Sequence, residues 1–169
     1  MTRRMMVAGN WKMHGSRAMA AALTADIVRA LPAHVDVVVF PPFPYLAQVA
    51  DTHAGSGLGV GAQDVGTHAQ AGAFTGEISA PMLVDCGCRH VLVGHSERRQ
   101  YHQESNELVA EKFAVAWEAG LTPVLCVGET LEQRQAGEAQ AVVAAQLDAV
   151  LHRAGVDAFE RALVAYEPV

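Results

Sequence analysis

The chain has 169 residues, 51% of them hydrophobic and 18% charged, with a formal net charge of −6. That suits one domain with a full core, and the acidic balance, with no basic block, argues against a nucleic-acid partner. No apolar run reaches the ~20 residues of a membrane helix, and the N-terminal apolar run is too short for a signal-peptide core. The protein is therefore expected in the cytoplasm and off the membrane. The three cysteines, Cys86, Cys88 and Cys126, lack zinc-site spacing and are read as reduced thiols.

In chain order, Met5 to Val7 lead into Ala8-Gly9-Asn10-Trp11-Lys12, a short strand with polar residues at its exit. Ser16 is placed to cap a helix with Met19, Leu23, Ile27 and Leu31 at i, i+4 spacing, stopped near Pro32. Val35–Phe40 is a second strand, closed by Pro41-Pro42, and a helical stretch covers residues 45–53. Residues 58–65 give a third strand with Gln63 and Asp64 near its exit. A long loop, 66–77, precedes a short helix at 80–86.

Residues 90–94 form the fourth strand, an apolar run ended by Gly94. Ser96 is placed as N-cap of the charged stretch that follows, which sets His95 at a strand end beside a helix N-terminus. The partial positive charge there favours a neutral imidazole, able to donate a hydrogen bond to a carbonyl oxygen. A helix over 106–119 puts Val109, Phe113, Ala116 and Trp117 on one face and ends at Gly120. Thr122–Val127 is the fifth strand. Thr130 with Gln133 forms a capping-box pattern opening one helix, whose later half carries Val143, Leu147, Val150 and Leu151 before Gly155. Residues 162–166 are the sixth strand, followed by Glu167-Pro168-Val169.

Strands alternating with helices imply a parallel α/β sheet with right-handed crossovers. An open doubly wound sheet needs polar groups only at its switch point, whereas a barrel gathers them from many strand ends. Here most exits carry them, at Asn10, Lys12, Gln63, Asp64, His95, Glu129 and Glu167, which favours the barrel. A complete barrel takes about 250 residues, so the six or so βα units of residues 1–169 are read as a single domain forming an incomplete one.

Six motifs occur in order: AGNWKM, GAQDV, GAFTGE, VLVGHSERR, LCVGETLEQR and AYEPV. Together they resemble the triosephosphate isomerase family. The resemblance implies a (β/α)8 TIM barrel, here incomplete, that interconverts dihydroxyacetone phosphate and glyceraldehyde 3-phosphate through an enediolate, with no metal or organic cofactor. It implies Glu167 as general base, its backbone restricted by Pro168, His95 as neutral electrophile and Lys12 as the cation opposing phosphate and oxyanion charge. Asn10 matches a substrate contact, Glu97 a carboxylate orienting the lysine, and Cys126 a residue packed behind the base. Thr75 and Glu77 of the 66–77 loop match dimer contacts, with Arg98 a candidate partner for Glu77, so a homodimer is implied.

His14 stands where many relatives have Asn. The resemblance also places the lid, the last two strands and the phosphate-binding backbone beyond Val169. The 169-residue chain alone is accordingly expected to be inactive, poorly folded and prone to aggregate along two open edges. Two other readings stay open. Lys12 could be a Schiff-base nucleophile, though its polar neighbours disfavour that, or the segment could be an assembly module completed by another chain.

Overall fold

Each apolar run becomes a strand of a parallel array. The computed structural model describes residues 4–167. Pro168 and Val169, and with them the backbone restriction read from Pro168, lie outside the described residues. The strands are β1 (Met5–Asn10), β2 (Val35–Phe40), β3 (Leu58–Ala62), β4 (His90–Val93), β5 (Thr122–Val127) and β6 (Leu163–Tyr166). The helices are α1 (Arg17–Arg29), α2 (Phe43–Thr52), α3 (Ala80–Asp85), α4 (Ser96–Tyr101), α5 (Asn106–Glu118), α6 (Leu131–Gln135) and α7 (Ala139–Ala154), and a 3₁₀ helix, Val156–Arg161, leads into β6.

The sheet order is β1-β2-β3-β4-β5-β6, and every pairing is parallel. A doubly wound sheet reverses its winding at a switch point; among the described residues this one never does. Winding in one direction keeps the helices on one face and leaves the other to curl inward, as in a barrel.

Two cores follow from the period of two along each strand. Val38, Phe40, Leu92, Val124 and Cys126 point to the inner face, packed with Met6, Leu163 and Ala165. Their neighbours Val39, Val91, Val93, Leu125 and Val127 point outward onto Leu46, Val49, Leu83, Val109, Phe113 and Val150 of the helical layer. Burial on both faces is why these strands read as nearly continuous apolar runs.

Three local expectations change. The stripe read on α1 is rotated by about one position. Met19 and Leu23 stay exposed, while Ala20 and Thr24 are fully buried and Ile27, Val28 and Leu31 pack beside them. Small residues let α1 approach closely, and Thr24 Oγ1 is satisfied by Ala20 O and His53 Nε2, each at 2.6 Å. The capping box at Thr130 and Gln133 forms, but the single helix it was expected to open is two, α6 and α7, separated by a turn at Gly137. Ser96 is the first residue of α4 rather than its cap; the cap is His95, whose ring nitrogen takes the backbone donor a serine hydroxyl would have taken.

Candidate active site

At the exit of β1, Asn10 Oδ1 accepts the Lys12 N–H at 2.9 Å and bends the chain. Lys12 has φ +52°, a left-handed conformation uncommon for a lysine and typical of constrained functional positions. Gln63, from the exit of β3, fixes that turn by donating Nε2 to Lys12 O at 2.9 Å and to Phe40 O at 2.8 Å. The Lys12 ammonium lies 2.8 Å from Glu97 Oε1. The hydrogen bond and then the charge of Glu97 hold the lysine above its ordinary pKa, so its amine stays protonated.

At the exit of β4, Gly94 has φ +71°, and a Cβ there would lie 2.7 Å from Val109 Cγ1 and 2.9 Å from Arg99 Nη2. Only glycine lets the chain turn out of the strand so close to α5. The turn delivers His95. Its Nδ1 accepts the Glu97 N–H at 3.2 Å, so that nitrogen carries no proton. The ring proton is then on Nε2, which faces Glu167 Oε1 at 2.8 Å.

Glu167 arrives from β6, its N–H donating to Val127 O at 2.8 Å. Its second carboxylate oxygen accepts the Ser96 N–H at 2.8 Å. Burial pushes this carboxyl up, but the hydrogen bonds from His95 and Ser96 outweigh it and leave the pKa below the ordinary carboxylate value. Beneath lies Cys126, buried in the inner cluster, its thiol pushed up to about 12 by burial and then by the nearby Glu167 charge.

Arg98 belongs to a four-charge cluster under α4 and α5. It meets Asp64 Oδ2 at 2.9 Å and Glu104 Oε1 at 2.7 Å, and Lys112 Nζ meets Asp64 Oδ1 at 2.7 Å and Glu104 Oε1 at 2.6 Å. Two largely buried carboxylates thus hold Arg98 within the chain. Burial raises the Asp64 pKa against the pull of Lys112 and Arg98; at Glu104 burial is overcome by hydrogen bonds from Lys112 and Arg98, and the pKa falls. Thr75 and Glu77 sit apart from the site on the exposed 66–77 loop, which Gly66 N–H closes onto Ile78 O at 2.8 Å.

Asn10, Lys12, Gln63, His95 and Glu97 line an open cleft of about 460 Å³ at the strand exits, with Tyr101 and His102 on its α4 side. The cleft presents the His95 imidazole and a fixed cation, and the half-buried Glu167 carboxylate, which is not among the lining residues, joins them through His95 Nε2. An N–H donor, a cation and a carboxylate so linked suit polarising a carbonyl and moving a proton beside it. Among the described residues, no group of three His, Cys, Asp or Glu is placed to hold a metal ion, and no helix is long and apolar enough to cross a membrane.

Some of these roles were not read from the sequence. In the sequence Gln63 stands only as a polar strand exit, and Lys112 belongs to no motif. Yet Lys112 stands three residues from Val109 and next to Phe113 on the buried face of α5, a position where a charge demands partners.

The family model described as Triosephosphate isomerase matches residues 5–169. Triosephosphate isomerases of Stenotrophomonas maltophilia (strain K279a) and Xanthomonas campestris pv. campestris (strain 8004) are each 58% identical over 168 residues, covering 99% of this chain and 66% of theirs. That of Stenotrophomonas maltophilia (strain R551-3) is 57% identical with the same coverage. The chain thus spans 66% of the length of the curated relatives it matches. With six sequentially ordered parallel strands and this match over nearly every residue, the chain belongs to the triosephosphate isomerase family.

Proposed function

We propose that the chain carries the acid–base centre of a triose-phosphate isomerase, interconverting dihydroxyacetone phosphate and glyceraldehyde 3-phosphate through an enediolate. The observation that carries this is the His95–Glu167 pair at 2.8 Å, with the imidazole proton fixed on Nε2 by the Glu97 N–H at Nδ1. A substrate carbonyl oxygen takes the Nε2–H in place of Glu167. The released carboxylate removes a proton from the adjoining carbon, whose electron pair moves into a C=C bond and leaves negative charge on oxygen. His95 and the Lys12 ammonium stabilise that oxyanion, and Asn10 shapes the turn that presents Lys12. A proton then passes from the hydroxyl on the first carbon to the oxyanion on the second, both within reach of His95 Nε2, and Glu167 returns its proton to the neighbouring carbon as the new carbonyl forms. Lys12 held charged by Glu97 is suited to electrostatic work and not to Schiff-base attack, which needs a free amine.

The working form is proposed as a cytoplasmic homodimer, with Thr75 and Glu77 of the exposed loop meeting the partner subunit. The half-exposed Phe74 beside them supplies an apolar anchor for such a contact. Residues 1–169 by themselves are proposed not to turn over. The described sheet leaves β1 and β6 each without a second neighbour, and the relatives are longer by about a third of their length.

The test is to assay isomerisation and exchange of the dihydroxyacetone phosphate C–H with D2O for the 169-residue chain. The same chain extended by the C-terminal third of the Stenotrophomonas relative is assayed beside it. The extended protein is expected to exchange and isomerise, the shorter one not, and Glu167→Gln to abolish both in the extended protein. Turnover indifferent to Glu167→Gln, or a borohydride-trapped adduct at Lys12, would overturn the proposal.

A further inference from the structure

Gln146, on α7 in the outer helical layer, reaches the backbone beside Glu167. Gly128 follows β5 at the point where the sheet ladder ends, and its peptide groups face the side chain of Gln146 on α7. Gly128 N–H donates to Gln146 Oε1 at 2.8 Å, and Gln146 Nε2 donates to Gly128 O at 2.9 Å. The primary amide thus gives Gly128 the donor and acceptor that a neighbouring strand's peptide gives the residues before it. Gln146 is buried, and both halves of its amide are used on this one residue.

Gly128 in turn touches the base. A Cβ built on it would lie 2.5 Å from the Glu167 carbonyl oxygen and 3.5 Å from Glu167 Cβ. The two backbones are in direct contact, and the preceding carbonyl, Val127 O, accepts the Glu167 N–H at 2.8 Å. Any displacement of Gly128 therefore moves Glu167, whose carboxylate must meet both His95 Nε2 and Ser96 N–H.

We infer that Gln146 is a positioning residue for Glu167, acting through Gly128 as a surrogate strand at the exit of β5. The inference rests on Glu167 being the general base, but its geometric half does not need the enzyme to turn over. Gln146→Leu keeps the bulk of the side chain and removes both hydrogen bonds, leaving the Gly128 N–H and C=O without their partner. Glu keeps the shape and the acceptor for Gly128 N–H but sets an oxygen against Gly128 O, so only half the clamp survives. A one-residue reach of this kind is sensitive because a base misplaced by about 1 Å can lose about 100-fold in rate.

The experiment uses Gln146→Leu and Gln146→Glu, with Thr24→Val as a control that removes a buried hydrogen bond remote from the site. In the extended protein, the Ser96 amide proton shift and its exchange protection report whether Glu167 still reaches Ser96. In the extended protein, kcat and KM are measured separately. Both 146 variants are expected to move the Ser96 amide toward its unbonded shift and lower kcat by about 10- to 100-fold. KM is expected to hold, because Asn10, Lys12 and Gln63 are untouched, and Thr24→Val is expected to change neither readout. Folded 146 variants with an unmoved Ser96 amide and wild-type kcat would overturn the inference. Loss of fold in both would overturn it too, because the amide would then be purely structural. If the Ser96 amide shifts while neither the extended wild type nor any variant isomerises, the isomerase proposal fails and the positioning of Glu167 by Gln146 stands.

Discussion

His95 and Glu167 meet across the exits of β4 and β6, Nε2 to Oε1 at 2.8 Å, although they are 72 positions apart in the chain. With Nδ1 occupied by the Glu97 N–H, the contact places the imidazole proton between Nε2 and the Glu167 carboxylate. It also ties up both groups. Glu167 is held by two donors at once, and in the proposed reaction a substrate must displace it before the carboxylate can act.

One of those donors can be removed without disturbing the other. Ser96 is the first residue of α4, a position where proline is tolerated because its missing N–H has no helical partner. His95 has φ −52° and ψ 142°, the extended geometry required before a proline. Ser96→Pro is therefore expected to keep the fold while deleting a donor to Glu167, and the Glu167 pKa should rise. Glu167 ionises more readily folded than unfolded, so it contributes stability above its unfolded value of about 4.3. That contribution is lost as pH falls through the lower folded value. The variant should lose less stability on acidification over that window. Carboxyl NMR titration of Glu167 measures the shift, and an unmoved midpoint would show that the Ser96 N–H does not matter.

The charge cluster beneath α5 makes a second prediction. Lys112 is 7% exposed at its side chain and bridges Asp64 and Glu104, at 16% and 2%. Lys112→Met leaves two buried carboxylates sharing Arg98 alone, and it should cost about 3–5 kcal/mol. Urea unfolding is the measurement; a loss under about 1 kcal/mol would place the cluster in effective contact with water.

Glu97→Gln should behave differently, because the Lys12–Glu97 pair is half exposed, at 51% and 42% of the side chains. The expected stability change is below about 1 kcal/mol. The Glu97 N–H that fixes the His95 tautomer is backbone and survives the substitution. What is lost is the carboxylate that directs the lysine. In the extended protein, kcat/KM should therefore fall with the unfolding midpoint nearly unchanged, and an unaltered kcat/KM would deny Glu97 an orienting role.

The cysteines offer a chemical check on packing. Burial pushes the thiols of Cys88 and Cys126 up to about 12, so neither offers thiolate at neutral pH. Cys86 is partly accessible. Iodoacetamide on the folded chain should label Cys86 alone, and all three after unfolding, as mass spectrometry of the digested peptides would read. Labelling of Cys126 at the rate of Cys86 would mean that the inner cluster opens readily.

The sequence by itself determined the central strands β2 to β5, because residues buried on both faces must be apolar, and it located the polar residues at the strand ends. Asn10, Lys12, His95, Glu97 and Glu167 could all be picked out from such exits and from their motif context. It could not say which way α1 turns, since Met19 and Leu23 keep helical spacing whether they face the core or the solvent; close packing by Ala20 and Thr24 decided that. Nor could it show that one stretch after Thr130 is two helices, because the apolar spacing continues past the turn.

Only the tertiary structure decided the partners. A hydrogen bond between His95 and Glu167, a clamp between Gln146 and Gly128, and a cluster joining Asp64, Arg98, Glu104 and Lys112 all span separate elements. Local propensity acts over a turn or a strand, whereas the choice among distant polar groups is made by which buried atoms would otherwise be left without a partner.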